Sequence, residues 1–300
     1  MDLNLEDLKK RCQEAETVLS SCTICPRSCR VNRLKGEKGF CEGGVLAKVA
    51  SYNSHYGEEP PISGHHGSGT IFFSGCTLRC IFCQNYPISQ LHEGREVSSQ
   101  ELAKMMLYLQ ERRCHNINLV TPTHFVPQFL KALVLARKEG FNLPIVYNTS
   151  GYETIQTLKI LEGVVDIYLP DLKYGDDEVG KEISGVKDYF TFAGPALKEM
   201  YRQVGNVVFN KENVAVKGLI VRHLVLPDNL STTDKVLRFL AEEVSREVTV
   251  SLMAQYFPAH QALTHPILKR RLTTEEYSQM VKLAQDLGLH NLFIQEIREY

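Results

Sequence analysis

The sequence lacks an excess of either charge: 34 Lys and Arg face 35 Asp and Glu, a formal net charge of −1 over 300 residues. So even a balance offers no electrostatic footprint for nucleic acid or for an anionic membrane surface. No apolar run approaches the roughly 20 residues needed to cross a bilayer. The opening Met1-Asp2-Leu3-Asn4-Leu5-Glu6-Asp7 is acidic, without the basic, apolar and small-residue order of an export leader. Short repeats and low-complexity segments are also missing. The expectation from these absences is a cytoplasmic protein with no nucleic-acid or membrane partner. What remains is ordinary globular material, 43% hydrophobic and 23% charged, which excludes wholesale disorder. The length suits two domains or a single α/β barrel.

Cysteine is the abnormal component. Nine occur, at 12, 22, 25, 29, 41, 76, 80, 83 and 114. An odd count without an export leader argues against a disulfide framework, because the cytosol keeps thiols reduced. Seven of the nine lie between Cys22 and Cys83 in two tight groups, and thiolates packed that closely usually hold metal. Cys12 and Cys114 fall in helical patterns and read as packing residues.

Residues 3–20 carry an amphipathic helical pattern through Leu3, Leu5, Leu8, Cys12, Val18 and Leu19. From Ser21 to about Gly69 the chain is rich in Gly, Pro, Cys and His, which favours loops and short hairpins. Residues 1–66 are therefore expected to form a small accessory region needing a staple other than a large core. Beyond it, β-rich apolar runs at 70–74, 116–120, 143–148, 164–169, 219–226 and 248–256 alternate with helical patterns. Ser98-x-x-Glu101 forms a capping box, Val126–Lys138 is helical with Gly140 as its stop, and Ser231 precedes a helix running to about Val244. Six strands alternating with helices predict a parallel sheet with right-handed crossovers. The expected fold is α/β, a partial (β/α)6 barrel over residues 67–300. Its chemistry should gather at the C-terminal strand ends.

Directly after the first of these strands comes Gly75-Cys76-Thr77-Leu78-Arg79-Cys80-Ile81-Phe82-Cys83-Gln84-Asn85. Three thiolates within eight residues can wrap one face of a cubane iron–sulfur cluster. No fourth local ligand follows, so one iron is left open to an exogenous molecule. A structural zinc site or a plain electron-transfer cluster would want four.

This loop resembles the signature of the radical S-adenosylmethionine (SAM) superfamily, Cys-x3-Cys-x-aromatic-Cys, with Phe82 in the aromatic slot. From Cys22 onward the chain resembles the stand-alone proteins called pyruvate formate-lyase-activating-enzyme-like. The resemblance implies a [4Fe–4S] cluster on Cys76, Cys80 and Cys83, with SAM chelating the open iron. One-electron reduction would cleave SAM to methionine and a 5′-deoxyadenosyl radical that abstracts hydrogen. The implied cofactor-binding set is Phe82, Asn85, Thr121, Asn148, Thr149, Ser150, Asp171, Lys173, Arg222 and Tyr256. Where most members have Gly-Gly-Glu, this chain has Val120-Thr121-Pro122-Thr123-His124. No carboxylate stands there for the methionyl ammonium, so backbone carbonyls or Thr121 would have to serve. Asn148-Thr149-Ser150-Gly151 and Asp171-Leu172-Lys173 resemble the activating enzymes' segments at the next two strand ends. Asp171 and Lys173 share one side of extended chain and suit the two ends of a zwitterion. Arg222 and His223 face opposite ways, so one of them is peripheral. Tyr256 reads either as an adenine-stacking ring or as a core aromatic.

Cys22, Cys25, Cys29 and Cys41 supply four thiolates, a closed set suited to zinc or to a second [4Fe–4S] cluster, with zinc slightly preferred. His55, Glu58, Glu59, His65 and His66 could rim the mouth of the site. The expected function is radical SAM chemistry on a protein, peptide or small molecule, with a flavodoxin- or ferredoxin-type electron donor. A glycyl-radical activase is its narrower form. The rival is a non-catalytic iron–sulfur or zinc protein for electron transfer or interaction. The missing fourth ligand near Cys83 favours the enzyme.

Overall fold

The structure, a computed structural model, describes residues 4–297. Its strands are β1 (Ala47–His55), β2 (Ser68–Phe73), β3 (Arg95–Val97), β4 (Ile117–Val120), β5 (Ile145–Thr149), β6 (Ile167–Pro170), β7 (Val208–Phe209), β8 (Ala215–Leu224), β9 (Thr249–Met253) and β10 (Leu292–Ile294). They form one sheet in the order β10-β9-β8-β6-β5-β4-β2-β1-β3, with β7 paired to β8. From β2 to β10 every pairing along that path is parallel. The six expected strands are β2, β4, β5, β6, β8 and β9, the units of a partial (β/α)6 barrel.

Two pieces of sheet depart from the expectation. The stretch at 47–55, expected to hold only loops and short hairpins, carries the nine-residue β1, antiparallel to β2, with a register shift between Val49 and Ser51. Its Ser, Asn and His content hides it, because strand character there comes from pairing across the sheet rather than from its own residues. A seventh parallel strand, β10, adds to β9 at the far edge.

The helices follow local chemistry. Asn4 caps α1 (Leu5–Thr17) by accepting from the Asp7 amide at 2.9 Å, and Leu8, Cys12 and Ala15 form its buried stripe. Leu3, placed in that stripe by the sequence pattern, lies outside the described residues. The short α2 (Pro60–Ser63) and α3 (Tyr86–Ser89) sit in loops. The capping box at α4 (Ser99–Glu111) is present in both directions, Glu101 N to Ser98 Oγ at 3.2 Å and Ser98 N to Glu101 Oε2 at 2.8 Å. After α5 (Val126–Lys138), Gly140 takes φ +88, as a left-handed helix stop requires. Next come α6 (Ile155–Leu161), α7 (Asp177–Ser184), α8 (Tyr189–Val204) and α9 (Thr233–Phe239), the last extended by a wide turn through Val244. Finally α10 (Thr274–Asp286) begins with a second capping box.

Strand alternation divides the core in two. Outward side chains such as Tyr147, Tyr168, Leu219 and Val221 join the helices in one large cluster. Inward Val146, Ile167, Leu169 and Ile220 gather instead around Ile62 of α2, with Ala215. Thus α2 plugs the base of the barrel, leaving the other end for chemistry.

Candidate active site

Beyond β2 the chain turns sharply. Gly75 takes φ +86, and a side chain there would run into the Cys41 carbonyl. The loop that follows is pinned by its backbone: Arg79 N donates to Ser184 O at 3.1 Å, Ile81 N to Ile183 O at 3.0 Å, and Ile81 O accepts from Ala262 N at 3.0 Å. So held, Cys76, Cys80 and Cys83 all line one cavity of about 850 Å³. Each sulfur has a hydrogen-bond partner: Leu78 N at 3.4 Å on Cys76, Ser184 Oγ at 2.8 Å on Cys80, and Ser89 Oγ at 3.2 Å on Cys83. Such donors steady thiolates and tune a cluster they hold. Burial pushes the Cys76 thiol up to about 12, and neighbouring Cys80 pushes the same way. A bound metal must therefore displace the proton. Among the described residues no three Cys, His, Asp or Glu side chains are grouped so as to grip one metal ion. Three thiols lining one cavity, each available to a separate iron, suit one face of a cubane.

The strand ends supply the remaining wall. Phe82, Asn85, Thr121, Asn148, Thr149, Ser150, Asp171, Lys173 and Arg222 all line the cavity. Thr121 holds φ +58, a strained setting for a β-branched residue, with its amide tied to Asn148 O at 2.8 Å. Lys173 Nζ meets Asp171 Oδ2 at 2.6 Å. Burial alone would lower the Lys173 pKa, yet Asp171 and Cys80 hold it above the ordinary value. Of the adjacent pair on β8, Arg222 faces the cavity. It donates from Nε to Glu59 Oε1 at 2.8 Å and from Nη2 to Glu59 Oε2 at 2.6 Å, and it also pairs with Glu58. Glu58 in turn accepts from Asn118 Nδ2 at 2.8 Å. Burial works against the Glu59 carboxylate, but Arg222 overcomes it and lowers its pKa. His223 points into the wall, between Leu172 O at 2.6 Å and Thr233 Oγ1 at 2.9 Å.

Tyr256 is the exception among the candidate residues. Its ring packs edge-on to Phe82 and its hydroxyl donates to Leu268 O at 2.5 Å, away from the cavity lining. His124 likewise lies outside the lining, buried between Ser74 O at 2.8 Å and Arg33. His55, Glu58 and Glu59 line the cavity, whereas His65 and His66 pack at tilted and edge-on angles with His115 outside that lining. Sequence reasoning missed Ser89 and Ser184, which meet Cys83 and Cys80, and Ser251, which lines the cavity and hydrogen-bonds Glu59. It also missed Glu153, a buried carboxylate receiving Thr123 and Thr149 hydroxyls at 2.5 Å each, which burial pushes up to about 7.

The other four thiols meet around a second, smaller void. Cys22, Cys25, Cys29 and Cys41 line it together with Arg33, Phe40 and Thr77. Arg33, only 2% exposed, donates to Cys22 Sγ at 3.1 Å, to Cys41 Sγ at 3.7 Å and to His124 O at 2.6 Å.

Comparison with known proteins agrees with this geometry. The Radical SAM superfamily profile matches residues 70–210. An uncharacterized protein of Methanocaldococcus jannaschii is 33% identical over 97% of this chain and 81% of its own length. A pyruvate formate-lyase-activating enzyme of Clostridium pasteurianum is 28% identical over 57% of this chain and 66% of its own. Among solved structures, the FeFe-hydrogenase maturase HydG from Carboxydothermus hydrogenoformans superimposes with a TM-score of 0.51 at 15% identity. That match covers 75% of this chain and spans 52% of the maturase, a likeness of fold. The chain belongs to the radical SAM superfamily, related distantly to the pyruvate formate-lyase activases. Membership brings a [4Fe–4S] cluster, SAM and enzymatic radical chemistry begun by SAM cleavage. No helix of the described residues is long and apolar enough to cross a membrane.

Proposed function

We propose that this protein is an oxidoreductase that takes a hydrogen atom from a substrate held in the 850 Å³ cavity, and that residues 67–300 form the catalytic unit. Cys76, Cys80 and Cys83 would hold three irons of the cluster. When bound, cluster and SAM together supply a 5′-deoxyadenosyl radical by one-electron cleavage of the sulfonium. The protein's own part is to orient and to exclude water. Asp171 and Lys173 offer opposite charges to the methionyl carboxylate and ammonium, while Asn148, Ser150 and Thr121 offer hydrogen bonds to the remaining polar atoms. The observation that carries this reading is a set of three hydrogen-bonded thiols, with no fourth cysteine, opening on the chamber that collects the strand-end residues.

The substrate class we favour is a glycine in a protein partner. Glycine's Cα radical is stabilised by both flanking amides, and several relatives carry the activating-enzyme name. An acidic flavodoxin or ferredoxin would donate the electron in the cytoplasm. Residues 1–66 would form a lobe with a second metal site at Cys22, Cys25, Cys29 and Cys41, holding zinc or a cluster. The test is anaerobic reconstitution followed by dithionite and SAM. Methionine and 5′-deoxyadenosine in equal amounts support the enzyme, whereas a reduced cluster that leaves SAM intact would return the protein to the non-catalytic class.

A further inference from the structure

We infer that Glu58 and Glu59 fit the chamber to a ligand of one net positive charge, and so select SAM over nucleosides of the same skeleton that lack the sulfonium charge. The inference rests on the radical SAM reading above. Among the described residues, the chamber is lined by the carboxylates of Glu58, Glu59 and Asp171, the cations of Lys173 and Arg222, and the imidazole of His55. Asp171 and Lys173 pair at 2.6 Å and cancel, and they are the two groups offered to the amino-acid end of the ligand. What is left is a pair of carboxylates on one guanidinium, Glu58 and Glu59 with side chains 7% and 6% exposed and Arg222 13%. One carboxylate would neutralise Arg222. Two leave an excess of one negative charge, and at a buried site solvent and salt screen it little. SAM carries an ammonium, a carboxylate and a sulfonium. With the first two met by Asp171 and Lys173, the sulfonium charge is the one still to be balanced. The thiols of Cys76, Cys80 and Cys83 belong to the cluster's own charge, which no substitution at Glu58 or Glu59 alters.

The position suits that role. Asp171, just past the end of β6, bridges to Arg222 on β8, and Arg222 stands opposite Ser251 on β9. These residues follow one row, and neighbouring strands lie about 4.8 Å apart. The excess charge is therefore one strand away from the pair that meets the zwitterion, and a sulfonium is only a short chain away from its own α-carbon. The two glutamates are rigidly mounted. Pro60 confines Glu59 to extended backbone, observed at φ −51 and ψ 144. The Glu59 carbonyl accepts from Ile62 N at 2.8 Å and Ser63 N at 3.1 Å, and Glu58 N donates to Ser63 Oγ at 3.1 Å. Both carboxylates also take neutral donors, Glu58 from Asn118 Nδ2 at 2.8 Å and Glu59 from Ser251. Neutral donors steady a carboxylate without cancelling its charge, so the plug segment delivers the excess to a fixed place in the wall.

The test compares SAM with S-adenosylhomocysteine, the thioether without the sulfonium charge, by calorimetry on anaerobically reconstituted protein with no reductant present. Wild type should bind SAM more tightly. Glu58→Gln removes one negative charge at nearly constant shape and should shrink that preference about tenfold, chiefly through weaker SAM binding. Glu58→Asp keeps the charge and should keep the preference, even if both affinities move together. Glu59→Gln makes the same change of charge from the other carboxylate and decides the matter if Glu58→Gln does not fold. A purely structural role would weaken both ligands by one factor and leave their ratio alone, and that result overturns the inference. So does a wild type that binds the two equally, or loss of the preference in Glu58→Asp. If wild type binds SAM but the ratio ignores the glutamates, the radical SAM reading stands without the inference. If wild type binds neither nucleoside, that reading fails and takes the inference with it.

Discussion

Two sets of thiols lie side by side in this chain and face opposite problems. The trio at Cys76, Cys80 and Cys83 opens on a chamber of about 850 Å³, while the quartet at Cys22, Cys25, Cys29 and Cys41 lines a void of about 10 Å³. Three ligands facing open space leave a coordination position for chemistry. Four thiols closing on one metal would leave none, and would confine it to structure or electron transfer. Ligand number and the space beside it, more than thiol chemistry, separate the two roles.

The largest expected break in that contrast is Cys80→Ala. It should lower 5′-deoxyadenosine formation by more than about 1,000-fold, read by chromatography, while the quartet's metal stays bound. Next comes Arg33→Met, which strips hydrogen bonds from two quartet sulfurs and the His124 carbonyl. It should cost about 3 kcal/mol in urea unfolding and loosen the quartet's metal before the trio's. Then comes acid. Burial drops His124, at the joint between lobe and barrel, from 6.5 to about 3, and His223, in the barrel wall, to about 4. The fold favours both neutral, so their contribution is whole above pH 6.5 and declines as pH falls below it. Each should remove about 2 kcal/mol by pH 5. Glu153, raised to about 7, tilts the other way, with its contribution lost as pH rises from 4.5 toward 7. Comparing wild type with His124→Gln and with His223→Gln therefore isolates each share, and identical pH profiles in all three would contradict the assignment. The smallest effect expected is Asp171→Asn. Removing the 2.6 Å pair with Lys173 should weaken SAM binding about tenfold by calorimetry, with the quartet untouched.

Legibility followed range. The trio's spacing, the capping box at Ser98 and Glu101, the stop at Gly140 and the six barrel strands rest on neighbours a few residues apart, and all were readable. Strand β1 was not, because its partner strand lies across a turn and its own residues are polar. The β8 pair could be sorted only to opposite faces; Glu58 and Glu59, 163 and more residues away, decide that Arg222 is the one inside. Tyr256 stood between pocket and core for the same reason, and the burial of His124 was equally hidden. Each is tied to a carbonyl, Leu268 or Ser74, that no local pattern reveals.

The plug at α2 has a consequence for traffic. With Ile62 sealed into the base by Val146, Ile167, Leu169, Ala215 and Ile220, the chamber is a blind well. Whatever sits deepest must arrive first and depart last, so its exchange has to wait on whichever molecule caps the rim. A bulky occupant at the top would then act as a stopper, guarding a reactive species below it for as long as it stays.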